Sequence, residues 1–431
     1  MNGSLRPLYH FTAPTGWLND PNGLVFWKGE YHLFYQHNPT GTEWGNMHWG
    51  HAVSRDLVRW SHLPVALAPD SNGACFSGSA AMDLEGATGL QTGSEPVMVA
   101  PYTGEGHGQC LAWSNDRGRT WSRWPGNPVL PLWPDRDPRL FWYAPERKWV
   151  IALYVETGSR LGQKSIAIYE SKDLKEWTYC SETPGFYECP DLFPLRVKGA
   201  RDVRWVLHGA DGRYLVGLFD GHRFTAQSDL RPMDQGANFY AAQTWNGVPT
   251  SDGRRIQIAW MAGGQYPGQP FNQQMSFPCT LELLPDETGA AVARWPVREI
   301  RSLYQRRYTR RAIRLKPSAG LHVVTGEALD VTARLRSLGA ASVTMNTLGT
   351  PITVDFHARQ VAVGDKRAAM RSAEDVTLRV LIDRTSIELF ADDGRVSMTS
   401  CRLPVPGEPS MYWNCEGGDV EIRNLHVADI G

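Results

Sequence analysis

The feature that most restricts the fold is a recurrence. Ser-x-Asp followed by Trp appears as SRDLVRW at 54–60, SNDRGRTW at 114–121 and SKDLKEW at 171–177, so successive copies start 60 and then 57 residues apart. Each copy follows a strand-like apolar stretch, for instance 48–53 and 165–169. Ser and Asp side chains can bond their own backbone in a turn, and a Trp can close over the adjacent strands. A hairpin-rich repeat of this length suggests propeller blades of about four strands each. Extending the period to residue 295 gives about five blades. A fourth copy is weak: FDGHRF at 219–224 reads as a plain hairpin turn.

Tryptophan marks where this pattern ends. Sixteen of the seventeen Trp lie at or before Trp295, and only Trp413 follows. The sequence predicts an all-β chain: a five-bladed propeller over 1–296, a linker or short helix over 297–312 in the basic stretch WPVREIRSLYQRRYTRRAIRL, and a β-sandwich over 313–431. The sandwich reading rests on short alternating runs, such as Val376, Leu378, Val380 and Ile382, with Asp393-Gly394 as a hairpin turn.

Charge and cysteine content exclude several classes. With 44 basic and 45 acidic residues among 431, the chain lacks the basic excess that nucleic acid or an anionic membrane demands. The longest apolar run, WVIALYV at 149–155, is far below the ~18 residues of a spanning helix. Seven cysteines without a C-x-x-C pair or Cys/His cluster give no disulfide framework, and neither metal nor other cofactor is expected. The first thirty residues show no signal core, so a cytoplasmic location is expected, or secretion if a leader has been removed. The chain is expected to act as a monomer or homodimer.

Three acidic segments carry the chemistry. In WLNDPNG at 17–23, Asp20 lies between Asn19 and Pro21; taken alone this reads first as a hairpin turn and second as a functional carboxylate. In DRDPRLFW at 135–142, Asp137 follows Arg136, and a surface Arg-Asp pair is the better reading of the segment alone. In PGFYECPDLFPL at 184–195, Glu188 follows two aromatics and precedes Cys189, which is unusual for a solvated turn. Burial there, or neighbouring carboxylates, would let Glu188 hold a proton near neutrality, with Asp137 kept ionised beside Arg136. Glycosidic cleavage needs one carboxylate to attack and one to protonate the leaving group. Aromatic and amide side chains nearby suit an uncharged polyol: Gln36 in YHLFYQHNP, Trp44 in WGNMHWG, Phe76 and Ser77 in FSGS, and Trp260 in IAWMAGG.

Together these segments, with ANFYAAQTW at 237–245 and IDRTSIELFADDG at 382–394, resemble glycoside hydrolase family 32, the invertase, inulinase and levanase group. The resemblance covers nearly the whole chain in order. It implies a five-bladed propeller with an appended β-sandwich and retaining release of terminal fructofuranosyl units from a neutral saccharide. Asp20 is implied to be the nucleophile, Glu188 the acid/base and Asp137 the transition-state stabiliser, with Asn19, Gln36, Trp44, Phe76, Ser77, Arg136 and Trp260 lining the fructosyl pocket. Cys189 is expected to tune Glu188 without reacting. Retention requires Asp20 and Glu188 carboxyls about 5–5.5 Å apart. Asn238 departs from the family, which commonly has an acid before Phe-Tyr-Ala; it is expected at the pocket mouth, where it would alter substrate choice. Three other classes share parts of the pattern: a sialidase-like propeller, for which the arginines are too few; a fructosyltransferase using the same carboxylates; and an inactive fructan-binding module.

Overall fold

A computed structural model describes residues 4–287, 289–347, 349–371, 374–405 and 410–431. Among the described residues five antiparallel sheets follow one another to residue 296, each built on four strands in chain order from the axis outward, with a further short strand on three of them. Blade I runs Gly16–Trp27, Glu30–Asn38, His48–Ser54 and Ser61–Leu67; blade II runs Cys75–Gly78, Val97–Gly104, Gly108–Ser114 and Ser122–Arg123. Blade III runs Arg136–Tyr143, Lys148–Val155, Ser165–Ser171 and Thr178–Pro184. Blade IV runs Asp191–Arg196, Val203–His208, Arg213–Phe219 and Phe224–Ala226, and blade V runs Tyr240–Thr244, Arg255–Trp260, Cys279–Asp286 and Gly289–Pro296. First strands of neighbouring blades face one another around the axis. Phe271–Asn272 pairs in parallel with Gly16 and Trp17 and ties the end of the ring to its start.

The repeat is the turn between the third and fourth strands. Ser54, Ser114 and Ser171 are each the last residue of a third strand. Their hydroxyls accept the N–H of Asp56, Asp116 and Asp173 at 3.1, 3.4 and 3.2 Å. Those carboxylates in turn accept N–H bonds from Arg59, Thr120 and Lys175 at 2.8, 2.9 and 2.9 Å. The third residue after each Ser, namely Leu57, Arg117 and Leu174, takes a left-handed φ of 64°, 61° and 68°, which the side-chain bonds hold in place. FDGHRF occupies the same place in blade IV, with Asp220 alone accepting from His222 and Arg223 at 2.8 and 2.7 Å.

Two six-stranded sheets form the sandwich. Its core gathers Val331, Leu335, Met345, Val380, Leu389 and Trp413, all nearly or fully buried. The stretch 297–312, expected as linker or helix, is a short 3-10 helix only over Arg298–Leu303; Tyr304–Leu315 is an edge strand of the sandwich, paired antiparallel with Asp419–Ile430. The arginines that suit a helix suit an exposed edge strand equally, because Tyr308 and Ile313 pack on the core while the arginines stay in water.

Propeller and sandwich share one apolar cluster, in which Leu381, Phe390 and Ile430 meet Phe11, Leu18 and Phe277. Polar groups lock the same joint. His10, ahead of blade I, lies 2.8 Å from both Asp383 and Glu388, and all three side chains are fully buried. Asp383 also accepts the N–H groups of Leu8, Tyr9 and His10 at 2.8, 3.1 and 3.2 Å. Among the described residues no helix is long and apolar enough to cross a membrane.

Candidate active site

The first strands do not pair regularly where the anticipated residues lie. Register breaks fall between Leu18 and Pro21, Cys75 and Gly78, Arg136 and Arg139, and Tyr240 and Gln243. Asn19-Asp20, Phe76-Ser77, Asp137-Pro138 and Ala241-Ala242 occupy those four gaps. An interrupted ladder breaks the two-residue alternation and lets a strand re-aim a side chain. Asp137, Glu188, Cys189 and Ala241 are all left-handed, with φ of 66°, 44°, 39° and 51°. A non-glycine residue there costs about 1–3 kcal/mol, and such strain clusters at functional positions. Neighbours hold it: Thr103 Oγ1 accepts the Asp137 N–H at 2.9 Å, and Ala210 O accepts that of Ala241 at 2.8 Å.

Residues distant in sequence thus meet at one end of the axis. Ser77 donates to Asp20 Oδ2 at 2.6 Å. The Cys189 thiol lies 3.5 Å from Asp20 Oδ2 and 3.5 Å from Asp137 Oδ2, and the Cys189 backbone N–H donates to Asp137 Oδ2 at 3.0 Å. Arg136 grips Glu188 Oε1 through Nε at 3.1 Å and Nη2 at 2.6 Å, while Tyr240 donates to Glu188 Oε2 at 2.7 Å. One thiol therefore bridges two carboxylates and adjoins the third along the chain.

Three expectations are corrected by these contacts. Arg136 pairs with Glu188 and not with Asp137, so the guanidinium holds the carboxylate that was expected to lie among apolar groups or beside other carboxylates. The Cys189 thiol bears on Asp20 and Asp137, not on Glu188; burial and the surrounding carboxylates push its pKa well up, so it stays a neutral donor. Asp137 is not held ionised. Burial first, then the charges of Glu188 and Asp20, raise it to about 7. Burial also raises Asp20, although Ser77 and Asn19 oppose the shift. Asp137 and Asp20 therefore both hold a proton more tightly than a free carboxyl does.

Aromatic rings frame the mouth. Trp44 is exposed and meets Phe76 edge-on at 5.9 Å, and Trp133 lies 6.0 Å from Phe76. Trp260 touches Trp17 and Tyr240, each at 6.0 Å, and donates to Gln273 at 3.0 Å. Asn19 is buried and accepts from Trp17 Nε1 at 2.8 Å. Gln36 lies beneath the rim: it is 2% exposed and donates to the Cys75 carbonyl at 2.9 Å. Asn238 is engaged by protein at both ends of its amide, accepting from Cys401 N at 2.8 Å and donating to Ala262 O at 2.5 Å. It forms part of the joint to the sandwich.

Tyr240, Trp133 and Thr103 were not anticipated. Tyr240 lies inside the quoted ANFYAAQTW segment, and its placement at the start of a first strand was the available signal. One group of metal-ligating types occurs among the described residues, Glu170, Cys180 and His222. Lys148 Nζ sits 2.5 Å from Glu170 and 2.9 Å from Glu146, and its ammonium supplies the positive charge there.

Three carboxylates converging among exposed aromatic rings at the mouth of a propeller define the class as a carbohydrate-cleaving hydrolase that works through paired acids. The chain belongs to glycosyl hydrolases family 32: the family's N-terminal domain matches residues 10–296 and its C-terminal domain residues 299–429. It is 38% identical to a levanase of Bacillus subtilis, over 98% of this chain and 70% of that protein. It is 30% identical to an extracellular exo-inulinase of Aspergillus niger, over 99% of this chain and 94% of the other. The crystal structure of exo-inulinase from Aspergillus awamori superposes with a TM-score of 0.88 at 27% identity, covering 100% of this chain and 99% of that one.

Proposed function

We propose that the chain is a retaining β-fructofuranosidase that removes terminal fructofuranosyl units from sucrose, fructo-oligosaccharides or fructans. Asp20 attacks the anomeric carbon while Glu188 gives its proton to the departing oxygen, leaving a fructosyl ester on Asp20. Glu188 then takes a proton from water, whose oxygen displaces Asp20 and frees fructose. Ser77 and Cys189 orient Asp20 for attack, and Asp137 holds fructosyl hydroxyls as positive charge develops at the ring. Trp44, Phe76 and Trp260 offer ring faces to the sugar.

The observation that carries this reading is the meeting of Asp20 and Asp137 at Cys189, the chain neighbour of Glu188. Relatives named levanase, exo-inulinase and invertase support the substrate class. The division of labour we infer gives 1–296 the chemistry and makes the sandwich its brace. All seven cysteines are free, which favours a reducing compartment.

The test is a panel of sucrose, short fructo-oligosaccharides, inulin and levan, with products resolved over time and the first-formed anomer read by NMR. Fructose alone from the polymers, released as the β anomer, is expected. Glucose from sucrose in excess of free fructose would mean transfer to another sugar, and fructoside cleavage surviving in Asp20→Ala would remove Asp20 as nucleophile.

A further inference from the structure

The sandwich face that packs on the propeller does not close along its arginine-rich edge. Cross-strand partners there point to one face. Register aligns Thr309 with His426, His426 with Thr332, and Thr332 with Arg379; the next row aligns Arg307 with Ala428 and Ala428 with Asp330. The small Ala428 leaves space between Arg307 and Asp330. A cavity of about 420 Å³ results, floored by these rows and walled on the propeller side by Trp295 and Arg301.

The charge in this cavity is unbalanced. Asp330 is already neutralised by Arg379, at 2.7 and 3.0 Å, and accepts a further bond from Tyr304. Arg301 and Arg307 have no carboxylate within 4 Å among the described residues. Arg307 stacks 5.1 Å above the Tyr304 ring, and Arg379 lies 5.8 Å from the Trp295 ring. Two free guanidinium forks with imidazole and hydroxyl donors suit a phosphate group, which accepts bidentate bonds from arginine. Ring faces beside them suit the carbon skeleton of a sugar.

We propose that this crevice is a second ligand site, separate from the carboxylate mouth, and that it takes a phosphorylated hexose: the phosphate on Arg301 and Arg307, the sugar ring toward Trp295 and Tyr304. The near-neutral charge of the whole chain conceals the site, because the surplus arginines are concentrated on one edge strand and the turn before it.

Isothermal titration of the whole chain with fructose 6-phosphate, inorganic phosphate and fructose tests the assignment. Fructose 6-phosphate is expected to bind more tightly than phosphate, with no saturable binding of fructose outside the sucrose-competitive mouth. Replacing both arginines (Arg301→Gln with Arg307→Gln) should weaken fructose 6-phosphate by about tenfold or more and leave sucrose hydrolysis unchanged. Arg310→Gln with Arg311→Gln, on the same strand outside the cavity, should leave binding intact. Equal binding of phosphate and fructose 6-phosphate would overturn the sugar assignment. Equal losses in the two double variants would reduce the interaction to diffuse attraction and overturn the site. Both arginines are exposed, so the variants should fold, and unchanged hydrolysis confirms that they have.

Discussion

The Tyr240 phenol, at the start of blade V, donates to Glu188 Oε2 at 2.7 Å across the boundary with blade IV. With Arg136 on the other oxygen, it fixes the direction in which the carboxyl can deliver a proton. Tyr240→Phe removes the hydroxyl and keeps the ring against Trp260. We expect kcat on sucrose to fall by about 10- to 100-fold, the scale of a misaligned acid/base, with KM little changed and the circular dichroism spectrum unaltered. Parental kcat in that variant would remove Tyr240 from the proton path.

Asp137 presents a conflict between stability and function. Its folded pKa of about 7 stands above the ordinary 3.8, through burial and then the charges of Glu188 and Asp20. The folded chain therefore binds more protons here than the unfolded chain between those values, and this group's contribution to stability falls as pH rises from about 4 to 7. Asp137→Asn keeps an acceptor for the Cys189 N–H and removes the charge. Melting measured at pH 5 and pH 8 should show the variant gaining on the parent at pH 8, by about 1–3 kcal/mol, and gaining less at pH 5. Activity should fall by about 100-fold or more. A gain independent of pH would contradict the raised pKa.

What could be read from the sequence was local. The Ser-x-Asp turns were legible because Ser54 bonds Asp56 and Asp56 bonds Arg59, all within a few residues; blade IV was faint because Asp220 acts there without its Ser and Trp. Alone, the flanks of Asp20 read as a hairpin turn and those of Asp137 as a surface pair; only the ordered set of segments singles these two out together with Glu188. Who holds whom was not legible. Arg136 and Glu188 are 52 residues apart, and so are Tyr240 and Glu188, and strand bulges that no residue type announces decide their meeting. The edge strand Tyr304–Leu315 was hidden for a like reason, since its partner lies more than a hundred residues on and its arginines fit helix and strand alike. His10 is the extreme case, with partners 373 and 378 residues away.

His10 joins the propeller to the sandwich through charge. Burial alone would lower its pKa, but hydrogen bonds and the charges of Asp383 and Glu388 raise it to about 9, from an ordinary 6.5. A histidine shifted upward stabilises the fold fully below about 6.5 and loses that contribution as pH rises through about 9. The parent should accordingly melt lower at pH 9.5 than at pH 7. His10→Gln removes the imidazolium between two buried carboxylates, at a cost of about 3–5 kcal/mol, and should flatten the decline between those pH values. An equally steep decline in the variant would place its origin elsewhere.

Asn238 ties the turn after Trp260 to the domain joint. Its amide nitrogen donates to Ala262 O, and its oxygen accepts from Cys401 N on the sandwich. A carboxylate at this position can satisfy Cys401 but cannot donate to Ala262, so Asn238→Asp sets an anion against a carbonyl and should cost about 1–2 kcal/mol, visible as a lowered melting temperature. The Ala262 carbonyl can escape only by moving the turn that follows Trp260, a ring of the sugar mouth. The shift should therefore reach the chemistry: kcat/KM for sucrose relative to inulin should change by about threefold or more, equivalent to ~0.6 kcal/mol of differential transition-state binding. Asn238→Ala separates the two effects, since it loses both bonds without adding charge. If Asn238→Asp alone alters the ratio, the added charge is the cause; if both variants alter it alike, the amide works by holding the turn. An unchanged ratio in both would confine Asn238 to the joint and end its part in specificity.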